Sequence, residues 1–514
     1  MKSQNRTYSL FCMGFALLFG GIVLDAIFNN KTQNYSYQML WLAVCTLFCA
    51  ALLYGGYRLW TRSAHSFSTK QEIFCVSCFL LIFFVLQLLV AWCMEVAVTP
   101  GWDFGIVFGA ARDSVLQGTL PNLYFANFPN NAPIYFFLIF LFRIFHFFGC
   151  HDFLWPAIVV NLLFVQLSLF LFYLTLRKLW GVRQALFGLF VSFFCLPFLL
   201  YGPIVYTDTL TMPFPIATLL LWLFARDAFA QGALKRGVSL CIAAGGICAL
   251  GAKLKITVLI VLIALLIDAL FAAFSMRKTV LIFISALGTF CLVFTLQSVF
   301  AAHSALLPVY DKNDAIPYTH WVMMGLSGVG GYNNDDYELT LRGETYAARQ
   351  QITTQEIATR VKTLGARGLA HHAANKLSYI YGDGMCYAPY KLDQSGLHDT
   401  YLRQFFLAGF PYFGAVSHLC TGLWFAILCG SVLGAAKAAH RGAHHATVVR
   451  IAVIGLTLFL LLWEARSRYL VNFLPLILIC GASGLFGNTN LWYNSNVYHT
   501  HAKYEHSKNA PHGA

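Results

Sequence analysis

Long apolar blocks separated by short polar stretches dominate this chain. Blocks such as 9–28, 74–96, 154–176 and 280–300 are nearly free of ionisable side chains. Each is near or above the about 20 helical residues that cross a bilayer core. Backbone polar groups must be paired inside lipid, which leaves helices or closed barrels. The blocks are too long and too evenly apolar for the alternation of barrel strands. The pattern therefore predicts an all-α integral membrane protein.

Lys and Arg in short loops set the orientation of such helices. Lys2 and Arg6 place the amino terminus inside, and Arg58, Arg62 and Lys70 follow the second block. Helices are expected at about 8–28, 38–58 and 73–96. The stretch 131–148 is apolar but carries Arg143 and His146. A charge near mid-bilayer costs at least about 2.5 kcal/mol. If the stretch spans, Arg177, Lys178 and Arg183 fall outside; if it lies along the outer surface, they fall inside. Both arguments favour an interfacial helix. Further spans follow at about 154–176, 184–203, 212–226, 238–252, 256–275, 279–300, 410–436, 449–463 and 469–486. The total is about twelve, with both termini cytoplasmic.

The organisation then reads as two N-terminal helices over 1–72 and a membrane module over 73–300 with outer loops 97–153 and 204–211. An extracytoplasmic region covers 301–409, C-terminal helices cover 410–486, and 487–514 forms a polar, disordered cytoplasmic tail with His499, His501, His506 and His512. Within 301–409, Gly328, Gly330, Gly331, Asn333 and Asn334 mark a turn-rich loop. Thr353 and Glu356 read as a capping box opening a helix that runs towards Tyr381 and ends near Gly382 or Gly384.

Composition sharpens this. Of 514 residues, 59% are hydrophobic and only 11% charged, against roughly 25% charged in soluble domains. The net charge of +13 sits in clusters at block ends, a topology and lipid-contact pattern rather than a nucleic-acid surface. Most of the 15 Cys fall in apolar blocks, where Cys behaves as a small hydrophobe.

Ionisable groups at the outer ends of helices are then the informative residues. Asp103 follows the third span, where a carboxylate can act as general base towards a hydroxyl; capping the next helix is its plain alternative. Asp208, in Tyr206-Thr207-Asp208-Thr209, has the same two readings. Lys253 and Lys255 flank an outer turn, suited to snorkelling or to a phosphate at headgroup level. His320 beside Trp321 is either an acid–base group or structural. Glu464-Ala465-Arg466-Ser467-Arg468-Tyr469 places two Arg at an outer boundary, and their planar forks suit phosphate. P-loop and Rossmann patterns are missing, so an activated lipid is the expected energy source.

These residues, with Tyr124-Phe125, Phe128-Pro129-Asn130-Asn131, Met323-Met324-Gly325, Gly331-Tyr332 and Leu474-Pro475, resemble the GT-C superfamily of polyprenyl-phosphate-sugar glycosyltransferases. The likeness is greatest to the Gram-positive enzymes related to protein mannosyltransferases and aminoarabinose transferases, and it covers about 73–486. It implies a GT-C type fold with interfacial helices in the first long outer loop and a larger outer region near 301–409. It also implies a catalytic acid group at Asp103, a second at Asp208, and a grip on the lipid phosphate by Arg466 and Arg468. The chain departs from the family in lacking the Asp-Glu pair of the protein mannosyltransferases in this loop. It also has two extra N-terminal spans.

The expected activity is sugar transfer from a polyprenyl-phosphate donor to a cell-envelope acceptor (glycan, glycolipid or protein) on the outer face. Asp103 and Asp208 are expected to be catalytic. Lys253, Lys255, His320, Glu464, Arg466, Arg468 and Tyr469 are expected to bind substrate. A divalent cation, if one is used, would sit on Asp103 and Asp208. The rival readings are a flippase or transporter of lipid-linked sugars, expected to show inverted repeats and broken helices, a membrane scaffold, and a polymerase or ligase of lipid-diphosphate glycans.

Overall fold

The structure is a computed structural model that describes residues 2–486, apart from 33–34, 63–66, 99–101, 273, 395 and 442–445. The expected tail and its four histidines lie outside the described residues, as do Pro100 and Gly101 before Asp103.

The described residues form helices and no strand, with one isolated bridge between Val96 and Gly396. The first three long helices are α1 (Lys2–Phe28), α2 (Met39–Arg62) and α3 (Thr69–Cys93). Next come α4 (Asp103–Leu116), α5 (Ala132–Phe147), α6 (Leu154–Trp180) and α7 (Val182–Ser192). After short turns follow α8 (Pro213–Ala230), α9 (Leu234–Leu254), α10 (Leu259–Phe271) and α11 (Met276–Ala302). The polar region holds α12 (Tyr318–Gly325), α13 (Asn334–Leu341) and α14 (Tyr346–Tyr381). The chain ends its described part with α15 (Phe413–Arg441), α16 (Thr447–Leu462) and α17 (Leu474–Leu485).

Side-chain contacts sort the helix ends into two faces. Near the start of α3, Glu72 pairs with Arg177 near the end of α6 at 2.6 Å. Farther along, Gln166 donates to Gln87 at 2.6 Å. The two helices are therefore antiparallel with matched ends. The Trp60 indole donates to the Arg183 carbonyl at 2.9 Å, joining the end of α2 to the start of α7. Lys178 pairs with Asp227, and Lys278 donates to the Phe229 carbonyl at 2.6 Å. Trp180 meets Phe486 with ring centroids 5.4 Å apart. One face thus gathers the basic short loops, as the charge pattern requires.

The same contacts decide the ambiguous segment. Residues 97–153 leave the end of α3 and return to the start of α6 at one face, opposite the basic one. Pro129–Phe147 is the one segment described between them that is long and apolar enough to cross a membrane. A single crossing there is incompatible with the matched ends, so α5 does not carry the chain across, and its Arg143 and His146 are exposed. It packs on α4, with the Phe108 and Phe142 rings 4.8 Å apart. Ten described helices meet the length and apolarity of a span. Setting α5 aside and adding the three shorter apolar helices makes the expected twelve.

Two local expectations are corrected. The stretch 184–203 is not one helix: α7 stops at Ser192 and a separate turn, Pro197–Leu200, follows. The long outer helix α14 starts at Tyr346, capped by the Thr345 hydroxyl on the Ala348 amide at 3.2 Å. Thr353 is buried inside that helix and bonds the Arg349 carbonyl at 2.9 Å, while Glu356 pairs with Arg360 at 2.8 Å. The predicted end of this helix, near Gly382, is observed.

Candidate active site

The site is built where the ends of several helices meet on the face opposite the basic loops. Asp103 opens α4, but no side-chain cap is made there, and the N-cap is Trp102. Its carboxylate instead accepts from the Tyr124 hydroxyl at 2.8 Å. Tyr124 in turn accepts from the Asn131 amide, and Asn131 accepts from the Tyr206 hydroxyl at 2.8 Å. The motif Tyr124…Asn131 therefore ties the first outer loop to the second.

Asp208 is also no cap. It lies within the short turn Thr207–Leu210, whose N-cap is Tyr206. It is 1% exposed, and a buried carboxylate needs charged partners. Lys255 donates to Oδ1 at 2.6 Å, and Arg468 Nε stands 3.8 Å from Oδ2. Lys255 can reach because α9 ends at Leu254 and its cap residue turns extended.

The segment 464–466 is non-helical, and its amides find partners in the region 301–409 instead. The Glu464 amide donates to the Trp321 carbonyl and the Ala465 amide to the Gly330 carbonyl, both at 2.9 Å. Buried Lys376 reinforces this seam by donating to the carbonyls of Gly325, Leu461 and Trp463 at 2.7–3.0 Å. Burial holds its ammonium down at about 8, opposed by Glu464. Glu464 accepts from Tyr469 at 2.6 Å and lies 3.6 Å from Arg466. Arg466 also donates to the Tyr387 hydroxyl and lies over the Tyr387 ring, 4.8 Å from its centroid.

That tyrosine is placed by a strained turn. Cys386 and Tyr387 have φ of 52° and 67°, a left-handed conformation that costs non-glycine residues about 1–2 kcal/mol each. Buried Asp383 holds it by accepting from the Met385 and Tyr387 amides at 2.9 and 2.6 Å and from the Ser467 hydroxyl at 3.0 Å. Beyond the turn, Lys391 packs its ammonium 3.9 Å from the centre of the Trp102 ring, beside Asp103 in sequence. The chain after Lys391 is fastened to the end of α3: Leu397 donates to the Glu95 carbonyl at 2.9 Å, and His398 meets the Glu95 carboxylate at 2.8 Å.

Of the residues expected from sequence, the structure brings Asp103, Asp208, Lys255, Glu464, Arg466, Arg468 and Tyr469 into one neighbourhood. Asp103 and Asp208 both act electrostatically on Arg468 and on Lys391. Two residues stand apart. Lys253 donates to Ser298 at 2.7 Å and faces the Phe294 ring on α11. His320 is fully buried, with Nδ1 2.6 Å from the Thr340 hydroxyl. Burial pushes its imidazole down to about 4, with Asp336 opposing, so it is neutral at neutral pH.

Sequence reasoning passed over Lys391, Asp383 and Tyr387. The Gly382-Asp383-Gly384 run was a visible turn signal, but only the fold brings it to Arg466. The donor set does not suit a divalent cation. Asp208 already faces two cations, and among the described residues no group of three or more His, Cys, Asp or Glu is placed to hold a metal.

Ten helices long and apolar enough to span, among the described residues, with three shorter apolar ones, define a multi-pass integral membrane protein. A family model described as "Conserved hypothetical integral membrane protein" matches residues 6–485, and the chain belongs to that family. No curated protein matches it. Two solved structures of ArnT from Cupriavidus metallidurans are similar at low identity. The apo form is 12% identical, with 80% of this chain and 77% of that chain covered and a TM-score of 0.32. The form bound to undecaprenyl phosphate is 13% identical, with 82% and 78% covered and a TM-score of 0.29.

Proposed function

We propose that this protein transfers a sugar from a polyprenyl-phosphate donor to a hydroxyl acceptor at the membrane face opposite its basic loops. The positive-inside tendency makes that face extracytoplasmic. The observation that carries the reading is the convergence of Asp103 and Asp208 with Lys255, Lys391, Arg466 and Arg468 on the face opposite the basic loops. A lipid phosphate is the anion that such cations meet there. Lys391 enters no ion pair among the described residues and Arg466 meets Glu464 only at 3.6 Å, whereas Arg468 faces Asp208, whose carboxylate repels an anion, so Lys391 and Arg466 carry the phosphate.

The reaction is a displacement at the anomeric carbon. The acceptor oxygen forms the new bond, the bond to the phosphate oxygen breaks, and its electron pair leaves with the lipid phosphate. Asp103, held by Tyr124, accepts the acceptor proton. The cations stabilise the charge growing on the leaving phosphate, and because the folded chain already holds them in place, little reorganisation is needed as it develops. The region 301–409 contributes Tyr332, Tyr379, Asp383, Tyr387 and Lys391 and closes over the site.

Asp103→Asn should abolish transfer of labelled sugar from polyprenyl-phosphate donors in membranes, while the protein still accumulates and elutes as a folded particle. Full activity in that variant would remove Asp103 from its role.

A further inference from the structure

We propose that Asp208 and Arg468 form a subsite for a hydroxyl of the donor sugar, distinct from the phosphate grip of Lys391 and Arg466. The inference rests on the donor reading above.

The two side chains form an ion pair without a hydrogen bond. Asp208 Oδ2 is buried and accepts no hydrogen bond, and Arg468 Nε is buried and donates none, among the described residues. Their separation of 3.8 Å exceeds a hydrogen bond. Leaving such buried charged groups unsatisfied is costly. The other carboxylate oxygen is occupied by Lys255 at 2.6 Å, which holds Asp208 in place.

The chemistry of the gap selects its occupant. The group must accept from the guanidinium and donate to the carboxylate at once. An ionised phosphodiester only accepts, and Asp208 repels it. An ammonium only donates. A hydroxyl does both, and one about 2.8 Å from each atom would bridge them once the two buried side chains part to admit it. The surroundings suit a sugar ring: Arg468 lies 5.9 Å from the Tyr206 ring centre and 5.2 Å from that of Tyr469.

The placement of the phosphate cations also fits. Arg466 is two residues before Arg468, and both guanidinium groups act electrostatically on Lys391. The two grips therefore share one neighbourhood, as one glycosyl phosphate requires.

The test compares binding of undecaprenyl phosphate with a panel of undecaprenyl-phosphate hexoses (glucose, mannose, galactose) to the full chain in nanodiscs. At least one hexosyl lipid should bind the wild type more tightly than the bare lipid, by about tenfold or more, the scale of a charge-assisted hydrogen bond. Asp208→Asn should erase that gain while bare lipid binds equally or more tightly, because a carboxylate beside the cations is gone. Arg468→Lys keeps the charge but lacks the Nε–H, and should erase the gain as well, which covers a folding failure of the first variant. A hexosyl lipid that gains nothing in the wild type, or a gain that survives in either folded variant, overturns the subsite. If the wild type binds neither lipid, the donor reading falls and the subsite with it.

Discussion

Lys391 shows how much a single side chain depends on its surroundings. Burial holds its ammonium down at about 7, reinforced by Arg468 and opposed by Asp103. The sign follows directly: Lys391 is charged below that value and neutral above it. Affinity for a phosphodiester-linked lipid, whose own charge is constant near neutrality, should fall as pH rises through about 7 in the wild type. Lys391→Arg remains charged throughout, so its binding curve should be flat over the same range. Equal pH dependence in the two proteins would separate Lys391 from the anion. His320 behaves differently because burial, only partly opposed by Asp336, leaves it neutral and bonded to Thr340. At this scale the residue types of Asp103, Asp208, Arg466 and Arg468 were legible, since ionisable groups beside apolar blocks need a reason. Lys391 was not, because in sequence it sits in a polar stretch where a lysine is ordinary.

Among the elements, helices were more legible than their ends. Thr345 and Thr353 both offer a capping hydroxyl, and nearest-neighbour patterning favoured the second. The chain uses the first, because Thr353 is buried against Thr319 of α12 at 2.6 Å. Helix contacts in lipid rely on small residues that let backbones approach. A Cβ at Gly484 of α17 would stand 2.2 Å from the Gly430 carbonyl of α15, whereas one at Gly14 would meet nothing within 4 Å. Gly484→Leu should push α15 and α17 apart and destabilise by about 1–3 kcal/mol, read as a lower melting temperature in detergent. Gly14→Leu should change it little. Similar melting of the two variants would contradict the close approach.

For the whole molecule, the strongest claim is the two-faced arrangement. Single cysteines at Leu120 and Val309 should react with a membrane-impermeant maleimide from the same side as Asp103, in a background lacking native cysteines. Cysteines at Lys235 and Arg277 should react only after the membrane is opened. Labelling of Leu120 and Val309 from opposite sides would refute a non-crossing α5. The sequence by itself determined the membrane class, the approximate spans and the basic face, because lipid leaves helices as the only home for long apolar blocks and charge bias orients them. It also singled out the carboxylates and arginines at the far face. Only the tertiary structure decided that α5 does not carry the chain across, that Lys253 turns away, and that Asp383, Tyr387 and Lys391 join the site. Those outcomes depend on which helix ends meet and on which buried groups find partners, and such contacts join residues hundreds of positions apart.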